Sequence, residues 1–460
     1  MFRLRSIRTA SALLAPIALM ACSPAIQYQR PDFPVAAAWP DQSQERSTGA
    51  AKLSEWKAFF SDPRLQALIG AALEYNRDLR IALARVDEAR AMYDITRADR
   101  LPGLTFSAGE SAAGTPSGVF SAGRSYNATI TAVSYEIDFW GRVASLSEAA
   151  RSNFLASEEA RKALRISLIA QVADIYFSLL DLDERISYVR SMVASRQQGL
   201  DLVRQIREVG AASRLDYLMA ENALESARSE LAGFERQRAN AANALTVLIG
   251  KFPTKLPAGR SLAKQDIDAN LSVGLPAEVL LSRPDVLAAE HRLLAAHANI
   301  DAARAAFFPK LILTAALGVA SPALASLFSA GSGAWSYQPT LTLPLFDAGR
   351  TEANVDLNIA RKNVAVADYE KTVQLAFREV ADLLAARATL AVQRKSAEGT
   401  MTIMQERAKI AQSRYQIGMG GYLEVLDAQR EALAAQQTVV QIQHAQLSAA
   451  AQLYKALGGG

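Results

Sequence analysis

The sequence is poor in the residues that build disulfide frameworks and metal clusters. One cysteine and three histidines among 460 residues exclude a disulfide framework and argue against a cysteine-rich zinc site or an iron–sulfur cluster. Aromatic residues make up only 7% of the chain and charged residues 21%, whereas half of it is hydrophobic. That composition excludes a disordered or collagen-like chain. Alanine supplies much of the apolar fraction, which favours long helices.

The sequence also has few patterns typical of an enzyme. His291 and His297 are six residues apart, so they do not share a helix face as a metal-binding pair does, and His444 stands alone. The run 331–333 lies between two predicted strands rather than before a helix, so it is not a phosphate-binding loop. We therefore predict a protein that is not an enzyme, with no catalytic residue, no cofactor and no metal ligand.

The first residues carry most of the positive net charge. Arg3, Arg5 and Arg8 precede an apolar stretch over 9–21, which is too short to span a bilayer and predicts a signal peptide over 1–21. Removing these three arginines leaves 47 basic and 46 acidic residues. The charge balance therefore does not support binding to nucleic acid.

The sole cysteine of the chain, Cys22, directly follows this segment. Leu19-Met20-Ala21-Cys22 resembles a bacterial lipobox, which implies that Cys22 carries a covalent lipid and begins the mature chain. Ser23 replaces the aspartate that retains such proteins at the inner membrane, so the resemblance implies the outer membrane. An ordinary signal peptide with a cysteine there by chance is the alternative. We predict a lipid-anchored segment over 22–64, and no later apolar run long enough for a membrane helix.

The rest of the chain contains two copies of one plan at a shift of 207 or 208 residues. The matching residues are Arg85, Asp94, Arg97 and Pro102 with Arg292, Asp301, Arg304 and Pro309, and then Gly141, Gly210 and Gly250 with Gly349, Gly418 and Gly458. This internal twofold repeat predicts a duplicated domain half, because it is far longer than a solenoid unit. We place the first repeat at 65–250, a linker at 251–276 and the second repeat at 277–460.

Each repeat is predicted to contain a helix, two strands, a long helix, a shorter helix and a further helix. The first helices span about 65–100 and 277–308, and each ends before a proline. Proline-free stretches with a period near 3.5 follow the strands. A single helix over 143–209 would be about 100 Å long.

Four segments alternate apolar and polar residues with a period of two, as transmembrane strands do. Their apolar positions are Leu104 and Phe106; Val133, Tyr135, Ile137 and Phe139; Leu311, Leu313, Ala315, Leu317 and Val319; and Trp335, Tyr337, Pro339, Leu341, Leu343 and Leu345. A soluble amphipathic sheet is the alternative. Four strands cannot close a barrel in lipid, so several copies must combine. Two copies would give eight strands and three would give twelve, and periodicity does not choose between them.

Several runs of this sequence are similar to those of a known family. They are Tyr28-Gln29-Arg30-Pro31, Trp56-Lys57-Ala58-Phe59-Phe60, Asp138-Phe139-Trp140-Gly141-Arg142 and Leu426-Asp427-Ala428-Gln429-Arg430. The sequence resembles the TolC-like outer membrane factors, most closely the OprM-type efflux lipoproteins. The resemblance implies a homotrimer whose four strands per chain form a twelve-stranded β-barrel in the outer membrane, continued by a long α-helical barrel in the periplasm.

The same resemblance implies a function and partners. The chain would be the passive exit duct of a tripartite efflux system for small toxic compounds or drugs. Its partners would be a periplasmic adaptor protein and an inner-membrane pump, often proton-driven. An outer-membrane duct for protein secretion and a periplasmic coiled-coil adaptor without a channel are the alternatives.

The resemblance places a periplasmic gate near residue 423. Leu423 would form the apolar constriction, and Glu424 and Asp427, which share a helix face, would form an acidic ring that favours cations. Tyr415 and Arg430 would tie neighbouring helices together. The turns at Gly210 and Gly418 would receive the adaptor. A solvated helix face is the alternative reading of the two carboxylates.

Overall fold

A computed structural model describes residues 30–31, 35–36, 39, 55–113, 123–210, 212–251, 253, 255–265, 267 and 276–459. The predicted signal peptide and Cys22 lie outside the described residues. The order of elements in the rest of the chain is the same in the two repeats, with one broken helix, two strands and two helices in each.

The described helices and strands have the following bounds. Helix α1 (Trp56–Phe59) precedes the first repeat, which contains α2 (Pro63–Tyr75), α3 (Arg77–Ala98), β1 (Leu104–Ala113), β2 (Gly123–Ile137), α4 (Arg142–Glu208) and α5 (Arg214–Ile249). The second contains α6 (Pro276–Ser282), α7 (Pro284–Ala305), β3 (Lys310–Ser321), β4 (Gly333–Thr342), α8 (Arg350–Gln416) and α9 (Tyr422–Ala456). The predicted single helix over 143–209 is confirmed as α4, whereas the further helix expected at the end of each repeat is wrong, because α5 and α9 each run unbroken to the end of their repeat.

Two compact units divide the chain differently from the two repeats. Among the described residues, the first unit comprises 30–31 and those of Arg85–Glu158 and Ala288–Lys371, and it contains all four strands. The second comprises Phe33–Ala84, Glu159–Leu287 and Thr372–Gly460, and it is helical. Each unit therefore takes segments from both repeats.

The first unit contains one antiparallel sheet in the order β1-β2-β3-β4. Alternation along β2 is interrupted between Ala132 and Tyr135, where the register shifts and Ser134 has a φ of 55°. This bulge changes which residues share a face: Ile130 and Ala132 lie on the same side as Tyr135 and Ile137. The predicted continuous alternation through Val133 is therefore wrong at this point, since an inserted residue reverses the parity of the strand.

The second unit has an aromatic core between the short N-terminal helices and the end of α9. Phe59, Phe60 and Tyr454 are almost fully buried, and the rings of Phe59 and Tyr454 are stacked with their centroids 4.8 Å apart. Residues of α4 such as Ile169 and Phe177 complete this core. The sequence motif around Trp56 thus encodes core packing.

The helix expected over 65–100 is two helices, and so is its copy. Asn76 separates α2 from α3, and Arg283 separates α6 from α7, at the same shift of 207 residues. Asn76 Nδ2 donates to the carbonyl of Leu248 at 2.7 Å, and Arg283 Nη1 donates to the carbonyl of Ala456 at 2.7 Å. In each repeat a buried polar side chain at the break therefore binds the C-terminal end of the last helix.

One window of α4 is apolar enough to cross a membrane by length and composition. Its mean hydropathy over 18 residues is 1.5, and 39% of it is buried. The expectation that no run after the signal peptide reaches this length is therefore wrong. The buried residues of α4, among them Val172 and Ala173, pack in the core of the second unit, which accounts for the apolar composition of this helix.

Candidate functional site: the strand sheet and the helix turns

One face of the sheet exposes a row of large apolar side chains. Phe106, Ile130, Leu317 and Trp335 are paired across the four strands, and each is more than half exposed. The row two residues along includes Leu104 and Tyr337, which are also exposed. Exposed apolar area of this extent marks a surface that contacts lipid or another protein.

The opposite face of the sheet is small and polar. Its rows include Ser107 with Thr129, and Thr131 with Ser336 two strands away. Gly318 opposes Thr129, and a Cβ atom there would lie 2.1 Å from the carbonyl oxygen of Ala128, so only glycine fits. Within the described sheet, β1 and β4 are the edge strands. Each therefore presents a row of backbone groups available to a further strand.

The two long helix pairs of the second unit end in turns that contain the predicted docking glycines. Gly210 and Gly418 have φ values of 79° and 76°, a conformation that glycine adopts without strain. The first turn leads into a capping box, in which Ser213 and Asp216 exchange hydrogen bonds at the start of α5. The N-cap residue of α9 is Gly421, which has no side chain to accept a hydrogen bond from the first turn. The start of α9 is therefore capped more weakly than the start of α5.

Arginine side chains organise the second turn. Arg414 Nη1 donates to Glu424 at 3.2 Å, and its Nη2 donates to the carbonyl of Met419 at 3.2 Å. The amide of Met419 in turn donates to the carbonyl of Arg414 at 2.8 Å. These contacts close the connection between α8 and α9.

The predicted gate carboxylate Asp427 lies between two arginines. Arg407 on α8 donates to its Oδ2 at 2.9 Å, and Arg430 donates to its Oδ1 at 2.8 Å. Arg430 also donates to Glu431 at 3.1 Å, so both of these carboxylate partners of Arg430 lie on its own helix. Leu423 is largely exposed in the single chain.

Tyr415 contacts an aromatic partner on the next helix. Its ring centroid lies 5.2 Å from that of Tyr422. Burial raises the pKa of both phenols; the charge of Asp216 adds to the effect on Tyr415, and proximity to Tyr415 adds to that on Tyr422. Both phenols are thus neutral hydrogen-bonding groups at any physiological pH.

Sequence reasoning missed Arg407 and Arg414, which supply the partners of the two carboxylates. The repeat contains a signal for both: Arg407 and Arg414 stand where the first repeat has Gly199 and Ile206. Charged residues that appear in only one copy of a duplicated pattern indicate a role that belongs to that copy.

Comparison with known proteins decides the family. The family model of outer membrane efflux proteins matches residues 68–251 and 275–459. The chain belongs to the outer membrane efflux protein family. It is 42% identical over 460 residues to the outer membrane protein OprJ of Pseudomonas aeruginosa, with 98% of this chain and 95% of that protein covered. It is 43% identical to the probable efflux pump outer membrane protein SepC of Pseudomonas putida, with 96% and 95% covered.

Solved structures agree with this family assignment. The open state of the Neisseria gonorrhoeae MtrE outer membrane channel has a TM-score of 0.87 and 39% identity, with 95% of this chain and 98% of that chain covered. The outer-membrane channel OprN has a TM-score of 0.87 and 30% identity, with 95% and 99% covered. The fold predicted from the sequence is confirmed, and so are the predicted efflux function and the outer membrane location. The two alternatives, a secretion duct and a periplasmic coiled-coil adaptor, have no support from these relatives.

Proposed function

We propose that this chain is one third of a homotrimeric outer-membrane channel that serves as the passive exit duct of a tripartite efflux system. The four-stranded sheet carries the proposal, because it joins an exposed apolar face to two open edges. Open edges are not tolerated in lipid. Pairing β1 of one copy with β4 of the next closes a barrel, and three copies supply twelve strands. The small polar face then lines the lumen.

The duct needs partners that supply energy and connect it to the inner membrane. We assign it a periplasmic adaptor, docked at the turns of Gly210 and Gly418, and an inner-membrane pump driven by protons. Relatives are named for the efflux of toluene and of antibiotics, which supports small toxic compounds as cargo. The channel itself performs no covalent chemistry in this proposal and holds no cofactor beyond the lipid on Cys22.

The proposed gate is the start of α9. A threefold axis would repeat Leu423 as an apolar ring, with Glu424 and Asp427 forming acidic rings around it. The ion pairs with Arg407 and Arg414 would hold α9 against α8 within each subunit. The tie from Arg430 to a neighbouring helix would have to reach another subunit, since within the single chain Arg430 binds Asp427 and Glu431 of its own helix.

Conductance of the reconstituted trimer tests the gate. Asp427→Ala with Arg430→Ala removes the Asp427 ring and the proposed tie but leaves Glu424 in place, so a higher conductance and weaker cation selectivity are expected. The matched control is Glu406→Ala with Lys409→Ala, because this exposed ion pair lies on α8 near the same turn. Equal conductance of the two double variants would reject the gate.

Susceptibility of cells tests the function as a whole. Deleting the gene should sensitise the host to a panel of toxic organic compounds, and the wild-type gene should restore resistance. Replacing Cys22 by alanine tests the lipid separately, through incorporation of a labelled fatty acid. Unchanged susceptibility to every compound in a host without a second efflux channel would reject the efflux role.

A further inference from the structure

The start of α9 contacts not only its hairpin partner α8 but also α4, at a glycine. A Cβ atom built on Gly199 would lie 2.6 Å from the hydroxyl oxygen of Tyr422 and 3.6 Å from its Cζ. The hydroxyl group therefore occupies space that only glycine leaves open. Since Gly199 lies within the helix α4, its cost in helix propensity has a local reason in this contact.

Tyr422 cannot move aside easily. It is only 7% exposed, and it lies in a cluster with Val203 of α4, Ala220 of α5 and Val425 of its own helix. Its ring also packs against that of Tyr415. Close packing on all sides means that an added methyl group at Gly199 must displace the ring rather than rotate it into solvent.

This contact differs in kind from the ion pairs around the gate carboxylates. Arg407 with Asp427 and Arg414 with Glu424 join α8 to α9, so they stay intact if the α8–α9 hairpin moves as a body. The contact between Tyr422 and Gly199, by contrast, joins that hairpin to α4, so it breaks when the hairpin moves away from α4.

The internal repeat indicates that the contact is specific to one copy. A shift of 208 residues relates Gly199 to Arg407, and it relates Tyr422 to Arg214. The first repeat therefore has no tyrosine at the position that would reach α8. One side of α9 is held by an ion pair and the other by a tyrosine seated against a glycine.

We propose that Tyr422 on α9 and Gly199 on α4 form a latch that holds each subunit of the gate closed, an inference that rests on the gate proposed above. Tyr422 is a positioning residue: it sets where Leu423 and Asp427 lie without itself contacting the cargo. Opening requires the ring of Tyr422 to leave its place against Gly199. A partner that pulls the α8–α9 hairpin away from α4 opens the aperture by releasing this contact.

Single-channel recording of the reconstituted trimer tests the latch. Gly199→Ala is expected to raise the ratio of open to closed channel by roughly 5- to 150-fold, the range that corresponds to overpacking a filled site. The matched control is Gly233→Ala, a glycine inside α5 at which a Cβ atom meets nothing within 4 Å. The control is expected to behave like wild type.

The double variant Gly199→Ala with Tyr422→Phe decides whether the effect runs through Tyr422. Removing the hydroxyl leaves the added Cβ at 3.6 Å from Cζ, an ordinary contact, so the closed state should return. Tyr422→Leu releases the latch without any clash and should open the channel as well. Trimer yield is measured for each variant, so that loss of assembly is not mistaken for gating.

Four results would overturn the latch. It is wrong if Gly199→Ala behaves like Gly233→Ala while Asp427→Ala with Arg430→Ala still opens the channel, in which case the gate stands without it. It is equally wrong if Tyr422→Phe fails to close the Gly199→Ala channel, or if Tyr422→Leu stays closed. If neither Gly199→Ala nor the carboxylate variant has any effect, latch and gate fail together.

Discussion

Arg283 offers a test of how the helix break is held in the second repeat. Its side chain is 5% exposed, and Nη2 pairs with Asp285 at 2.8 Å and with Glu379 at 2.9 Å. Arg283→Met keeps the length and the apolar stem but leaves two carboxylates without their guanidinium. Removing one partner of a fully buried ion pair costs about 3–5 kcal/mol. The cost here should be smaller, because the Asp285 side chain is 40% exposed and Lys455 still pairs with Glu379, but the variant should unfold at a lower temperature than wild type at pH 7.

The stability lost in Arg283→Met should depend on pH, and the pKa shifts give the direction of that dependence. Burial by itself would raise the pKa of Asp285 and of Glu379. At Asp285 the hydrogen bond and charge of Arg283 outweigh burial, and at Glu379 the hydrogen bonds and charges of Lys455 and Arg283 do so. Both pKa values therefore lie below their usual range. A lowered pKa in the folded state stabilises the fold above the unfolded pKa, and this stabilisation is lost as the pH falls through the folded pKa. In Arg283→Met the burial of Asp285 acts without the arginine, so its pKa should rise. The gap between variant and wild type should therefore narrow as the pH falls from 7 towards about 4.

The matched control is the equivalent residue of the first repeat. Asn76 accepts from the amide of Leu79 at 2.8 Å and donates to the carbonyl of Leu248. Asn76→Ala should cost about 1–3 kcal/mol through unsatisfied buried groups, with no pH dependence because no charge is involved. Thermal unfolding in detergent, followed by far-UV circular dichroism, measures both. A gap for Arg283→Met that is as wide at pH 4 as at pH 7 would refute the electrostatic reasoning.

Three further predictions concern other parts of the fold. Asp62 is buried and accepts hydrogen bonds from Tyr176 Oη at 2.8 Å, from Gln265 Nε2 at 2.7 Å and from the backbone amides of Arg64 and Arg260. Asp62→Asn should lower the thermal unfolding midpoint, because the side-chain amide of asparagine has one acceptor oxygen and cannot accept hydrogen bonds from all of these donors. Leu317→Arg on the apolar face of the sheet should reduce the amount of trimer in outer membranes, at a cost of about 2–4 kcal/mol in the bilayer, whereas Ser336→Arg on the polar face should leave that amount near wild type; equal yields would contradict the assignment of faces. Ser213→Ala should remove the capping box of α5 and lower the free energy of unfolding by about 1 kcal/mol. Amide hydrogen exchange should become faster in the first turn of α5 and stay unchanged elsewhere.

Local patterns in the sequence predicted the order of the strands and the long helices. Period-two alternation located part of each of the four strands, but β2 begins at Gly123, ten residues before the first predicted position, and β4 ends at Thr342, before the predicted Leu343 and Leu345. Proline-free, alanine-rich stretches identified the long helices, and α4 begins within one residue of the predicted start. Constant spacing between the repeats identified the duplication.

Features that depend on contacts between distant residues could not be predicted in this way. Asn76 lies in a helical pattern, and it ends α2 only because its side chain reaches Leu248, 172 residues away. The bulge at Ser134 shifts the faces of β2 although the residues around it still alternate. In the candidate site, the shared face of Glu424 and Asp427 followed from helix geometry, but their arginine partners and the fit of Tyr422 against Gly199 depend on how the helices pack.

The mass of the purified mature protein in detergent tests the central claim most directly. A mature chain that provides four of twelve barrel strands should be found at three times its own mass, after correction for bound detergent, and should conduct ions once inserted into a planar bilayer. A stable single chain that remains in aqueous buffer without detergent and never inserts into lipid would contradict the account.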